Sequence, residues 1–126
     1  MSHSEDQVMA FVAVIAEVCH EVNRAYCEAI GDFTVSSWPN TIEETKNNIY
    51  KGVVFRLTNP FSSPKDMHQN WMKDKVRDGW IHGPVKSEEF RTHPCIIAYE
   101  QLPEAQRVKD NLFMATVDSL RKVFGV

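Results

Sequence analysis

Cysteine and glycine are both sparse in this sequence, and no apolar run in it approaches the length of a bilayer. The three cysteines, Cys19, Cys27 and Cys95, are odd in number and show no C-x-x-C spacing. That excludes a disulfide framework and a cysteine-rich zinc site, and free thiols fit a reducing cytosol. Only five glycines occur, and none clusters into a loop of the kind that cradles a phosphate. The longest apolar stretch, Val8 to Val18, is broken by Glu17, with Glu21 soon after, far short of the roughly 20 residues of a membrane span. It follows an acidic leader, Ser4-Glu5-Asp6, where a secretory signal carries positive charge. Basic excess is missing too. The 14 Lys and Arg are interleaved with 17 Asp and Glu for a net charge of −3, so no basic stripe invites a nucleic acid.

What is present describes one ordinary globular domain. A chain of 126 residues with 43 % hydrophobic and 25 % charged content is large enough for one core and too apolar for disorder. The spacing predicts a first helix over about residues 6–30. Ser4 and Gln7 stand at capping-box spacing, and Val8, Phe11, Val12, Ile15, Cys19, Val22, Tyr26 and Ile30 recur in steps of three and four up to a stop at Gly31. Residues 31–40 read as a loop in which Trp38, extended before Pro39, turns its ring to the core. Thr41 with Glu44 repeats the capping spacing before a second helix, which has Ile42, Ile49, Val53 and Leu57 on its apolar side and ends at Asn59-Pro60. Ser63-Pro64-Lys65-Asp66 opens a third helix running to Asp78 and stopped by Gly79. Two extended pieces, Trp80 to Val85 and His93 to Tyr99, flank a charged turn (Lys86 to Arg91) and are expected to pair as a small hairpin. Leu102-Pro103-Glu104 then opens the last helix, with Ala105, Val108, Leu112, Ala115, Leu120 and Val123 facing inward. The expectation is a mainly α fold with minor β: about four helices and a small two-stranded or extended element between the third and fourth. A faint internal echo joins Cys19-His20-Glu21-Val22-Asn23 to Met67-His68-Gln69-Asn70-Trp71.

The run from His68 to Gly83 carries the most distinctive spacing. A tryptophan stands three after the histidine, Lys75 four further on, and Gly79-Trp80-Ile81-His82-Gly83 at the helix exit. With His93-Pro94-Cys95, Tyr99, Leu102-Pro103-Glu104 and Arg107, this pattern resembles the RyR domain, the repeat of the ryanodine receptors, over residues 64–125. The amino-terminal half, residues 4–60, with Val18 to Glu21 and Trp38-Pro39, is similar to the corresponding part of short RyR-domain proteins of bacteria and phages. The sequence departs from the pattern at His82, where a tyrosine is common. The resemblance implies a single domain over residues 1–126, in a bacterial cytosol or a phage-infected host cell. It implies a non-catalytic role in binding a small ligand or a protein, since paired copies in the channels can take adenine nucleotides between them.

The candidate site is built on Trp71, Lys75 and Trp80. Trp71 and Lys75 share a helix face, and aromatic faces beside a cation suit a purine and its phosphate, although both tryptophans could simply fill the core. His82, Lys86 and Tyr99 complete the set, the tryptophans stacking, the lysines supplying charge, and His82 and Tyr99 hydrogen bonding. Lys86 and Arg91 could also close over an anion as a lid. His20, His68, His82 and His93 lack H-E-x-x-H spacing and read as histidines bonded to backbone, with His93 anchoring the turn at Pro94. Cys19 and His20 are neighbours whose side chains diverge around a helix, whereas Cys95 and His93 could share a strand face. Neither metal nor cofactor is expected. Phe113, Met114, Val117 and Phe124 lie off the expected inner face of the last helix and offer either core or a homodimer seam. Two readings therefore stand: a module for a small anionic or nucleotide-like ligand, or an interaction module that packs on itself or on another protein.

Overall fold

The computed structural model describes residues 3–126. Its helices are α1 (Glu5–Ala29), α2 (Glu43–Thr58), α3 (Pro64–Arg77) and α4 (Glu104–Phe124). Single 3-10 turns at Trp38–Asn40 and Tyr99–Gln101 precede α2 and α4, and between α3 and α4 lie two short strands, β1 (Ile81–His82) and β2 (Thr92–His93). The fold is mainly α with minor β. By contacts the chain divides into two compact units, one made of the residues up to Phe61 with Asn111–Val126, the other of Ser62–Asp110.

In the first unit, α1 begins with a full capping box. The Gln7 N–H donates to Ser4 Oγ at 3.2 Å, and the Ser4 N–H donates to Gln7 Oε1 at 2.9 Å. It ends at Gly31, whose φ of 91° lets the Asp32 N–H reach back to the Cys27 carbonyl at 2.8 Å. Val12, Ile15, Ala16 and Cys19 of α1 pack with Trp38, Val53 and Val117, while Phe113, Leu120 and Phe124 close the edge of the cluster. Arg56 of α2, its side chain 9 % exposed, forms a two-point pair with Asp118 of α4 at 2.8 and 2.7 Å.

Several expectations need correction here. Val117 is buried and Val123 is 75 % exposed, so the inner stripe of α4 runs through Phe113, Val117, Leu120 and Phe124 rather than through Ala115 and Val123. Two apolar stripes compete on this helix, and the one carrying two phenyl rings buries more area. Of the four residues that offered either core or a homodimer seam, Phe113, Val117 and Phe124 belong to the core cluster and Met114 is half-buried. Ile30 and Ile42 are 51 % and 55 % exposed because each is a helix-capping residue pointing off the end. Thr41 does not cap α2: its hydroxyl donates to the Ser37 carbonyl at 2.9 Å and lies 3.2 Å from His20 Nε2.

In the second unit Ser63 and Asp66 form the capping box of α3, with Pro64 at its first position. The helix ends as α1 does. Gly79 has a φ of 89°, and the Trp80 N–H donates to the Lys75 carbonyl at 2.9 Å. This directs Trp80 inward, where it is 1 % exposed. The strands pair in parallel, Ile81 with Thr92 and His82 with His93, not as the expected antiparallel hairpin. The reason is a double reversal. Ser87 and Thr92 do form a tight antiparallel bridge, but the chain has already turned once between Gly83 and Ser87. Gly83 is the pivot, since a Cβ there would sit 2.6 Å from Thr92 Cβ.

The faint echo in the sequence has a structural counterpart. His20 is buried on α1 with Nε2 2.7 Å from the Ser36 carbonyl, and His68 is buried on α3 with Nε2 2.8 Å from the Ile97 carbonyl. In each unit the accepting carbonyl stands two residues before the aromatic that opens a 3-10 turn, Trp38 in one and Tyr99 in the other. A carbonyl only accepts, so both histidines carry their proton on Nε2.

Candidate functional site

The short helix α3 spaces His68, Trp71 and Lys75 along one side at intervals of three and four. His68 and Trp71 stack at a centroid distance of 5.6 Å, and Tyr99 meets His68 at 6.1 Å. On the other side the edge of His93 meets Trp71 at 4.9 Å and Trp80 at 6.4 Å. The result is a continuous row of rings: Tyr99, His68, Trp71, His93, Trp80.

Cations gather at one end of this row. Lys75 Nζ lies 4.3 Å from the Trp80 ring centroid, and the Arg91 guanidinium lies 5.5 Å from it. Both geometries fall within the range in which a cation is held by the aromatic quadrupole. Arg91 adopts a φ of 54°, a left-handed conformation unusual for a side-chain-bearing residue, at the end of the Ser87–Thr92 turn. His93 Nδ1 accepts the Cys95 N–H at 3.0 Å, which fixes the proton on Nε2 and anchors the turn at Pro94. Burial is the main force keeping His93 neutral, with Lys86, Lys75 and His68 adding to it, and together they lower its pKa to about 4.

Of the six residues singled out from the sequence, the structure brings Trp71, Lys75, Trp80 and Tyr99 into or against the row. Trp80 is core: at 1 % exposure it has no free face for a ligand to stack on. Trp71, Lys75 and Tyr99 are half-buried. His82 and Lys86 are exposed on the segment that leaves the row, and Lys86 meets Glu88 at 3.6 Å. His82 is paired through its backbone with His93, but its own side chain stands outside the row.

Sequence reasoning undervalued His68, His93 and Arg91. The H-x-x-W spacing of His68 and Trp71 was the available signal, whereas Arg91 reaches Trp80 only because the intervening segment doubles back. The thiols are placed for packing. Burial raises Cys19 to about 12, and it also raises Cys95, whose Sγ lies 3.8 Å from Gln106 Oε1. His93 touches Cys95 through the backbone N–H.

Among known families, the model of the RyR domain matches residues 53–123, more than half of the chain.

Proposed function

The chain belongs to the RyR-domain family, and from that premise we propose that it is a non-catalytic binding module whose ligand is anionic. The observation that carries this reading is the convergence of cations at one end of the ring row. Lys75 and Arg91 both stand over Trp80, and Lys75 and Lys86 both act on His93. In a chain of net charge −3 this is a local inversion of sign. It creates a positive field beside aromatic surface, which suits a phosphate attached to a planar base. Trp71 and Tyr99 supply the ring edges, Lys75 and Lys86 the charge, and His82 a hydrogen bond, while Trp80 acts as the platform that holds Lys75 in place. A nucleotide-like molecule fits this chemistry.

The test is a thermal-shift and calorimetric panel of inorganic phosphate, pyrophosphate, ATP, a cyclic nucleotide and ADP-ribose. A ligand at 100 times its dissociation constant adds about 2.7 kcal/mol, a rise of several degrees. The expected result is a dose-dependent rise that disappears in Lys86→Ala, an exposed position whose loss leaves the fold intact. A flat panel at millimolar concentrations would reject the anionic ligand. A second reading, docking of a protein, is favoured by a different observation: Ile81, Val85 and Phe90 are 62 %, 70 % and 72 % exposed on one short segment.

A further inference from the structure

His93 stands where the ring row meets the cations, and the anionic-ligand reading gives it no task. Its ring approaches those of Trp71 and Trp80 at centroid distances of 4.9 and 6.4 Å. Trp80 is also the ring over which Lys75 and Arg91 stand. Pairing of β1 with β2 holds the backbone, the Gly83 N–H donating to the His93 carbonyl at 3.3 Å. Nδ1 accepts the Cys95 N–H, so the single proton of the ring is on Nε2. Held by both tryptophans and by the turn, the half-buried imidazole has its charge state set by its neighbours rather than by bulk water.

The neighbours that act on it are basic. α3 contributes Lys75 and His68, the turn after β1 contributes Lys86, and Arg91, just before β2, stands over the adjoining Trp80 ring. The acids Glu88 and Asp110 face other groups, Lys86 and Gln106 respectively. A proton added to His93 has only Nδ1 to go to, and there it displaces the Cys95 N–H. Burial, the lysines and this hydrogen bond thus act together to keep the ring neutral. Burial and the hydrogen bond are fixed by the fold. The lysine contribution is not, because an anion bound between Lys75 and Lys86 offsets their charge and sets negative charge beside the imidazole. Whatever offsets those two cations makes a proton on His93 easier to hold. The effect is reciprocal: a proton on His93 tightens the hold on the anion by the same factor.

Building on the anionic-ligand reading, we infer that binding of a doubly charged anion at this site is coupled to uptake of a proton by His93, so that the module grips its ligand more tightly as the solution becomes acidic. The bound state holds more protons than the free state between the two midpoints of His93. Affinity therefore rises as pH falls through the higher midpoint and levels off below the lower one. A singly charged group offsets less of the lysine charge and gains less, so acid also sharpens the preference for dianions over monoanions.

Sulfate and ADP-ribose test this on the full chain, because the sulfate and pyrophosphate groups keep their double charge from about pH 4.5 to 7.5 and any pH dependence then belongs to the protein. The His93 ring is followed by NMR. Its midpoint, about 4 in the free protein, is expected to rise by about one pH unit or more at saturating anion, and not in sodium chloride of equal ionic strength. A rise of about one to two pH units makes binding roughly three- to twentyfold tighter at pH 4.5 than at pH 7.5, and His93→Gln should flatten that profile. Lys86→Ala probes the coupling without any ligand, since removal of this cation should raise the His93 midpoint of the free protein. Anion binding that leaves the His93 midpoint in place, or a pH profile unchanged in His93→Gln, overturns the inference while the anionic-ligand reading stands. A midpoint indifferent to Lys86→Ala overturns it as well. A ligand panel that stays flat at every pH overturns both.

Discussion

Replacing Trp80 by alanine should cripple the second unit rather than merely silence a ligand site. The indole is 1 % exposed, so the variant loses essentially all of its burial and leaves a void that neighbours fill only in part. Large aromatic-to-alanine changes in cores cost about 3–5 kcal/mol. The cation held 4.3 Å from the ring, Lys75, loses this contact, which adds roughly another 0.5–1 kcal/mol. Against a total stability of about 5–15 kcal/mol this is roughly a quarter of the whole or more. For a domain of this size it corresponds to a fall in melting temperature of about 12–20 °C. Trp80→Phe keeps much of the volume and should fall by less than half as much. The assay is urea and thermal unfolding followed by far-UV circular dichroism. If Trp80→Ala melts within about 3 °C of the wild type, Trp80 is not core, and its reassignment from ligand face to platform is wrong.

Other perturbations have equally definite outcomes. His93 should titrate by NMR with a midpoint of about 4, well below the ordinary 6.5. Because its folded pKa is depressed, the folded state binds fewer protons between these values. Its contribution to stability, up to about 3 kcal/mol, is complete above pH 6.5 and lost as pH falls towards 4, an effect absent from His93→Gln. Gly83→Ala brings a Cβ to 2.6 Å from Thr92 Cβ and should cost about 1–3 kcal/mol, with faster amide exchange at Ser87 and Thr92. Asp118→Ala deprives the buried Arg56 of its two-point carboxylate and should cost about 2 kcal/mol, less than the roughly 3–5 kcal/mol of a fully buried pair because Asp118 is partly exposed. Arg56→Met with Asp118→Leu should recover most of it, as chemical denaturation would show.

Much of the fold was legible locally. The Ser4–Gln7 and Ser63–Asp66 boxes, Pro64 at the head of α3, and Gly31 and Gly79 at helix ends each use groups a few residues apart. Short-range geometry decides such features whatever surrounds them. Thr41 shows the limit. Its spacing to Glu44 suits a cap, yet its hydroxyl donates to the Ser37 carbonyl and lies beside the Nε2–H of the distant His20 instead. The same holds on α4, where the pattern offered two apolar stripes and packing chose the one with Phe113 and Phe124.

The sequence alone determined the helices, their ends and the spacing that marks the family, because each depends on contacts closed within one or two turns. It also placed Trp71 and Lys75 on one face of α3, since helical periodicity requires it. Tertiary structure decided which aromatic is core, which strand direction closes the insert, and which cations meet. Trp80 became a buried platform because the Gly79 turn sends it inward and Lys75 and Arg91 stand over it. Arg91 came to that ring only through a double reversal pivoting on Gly83, where the close approach of Thr92 leaves no space for a side chain. A turn's residues are written in the chain, but what two successive turns bring together depends on their summed rotation, and that is settled only when the backbone packs.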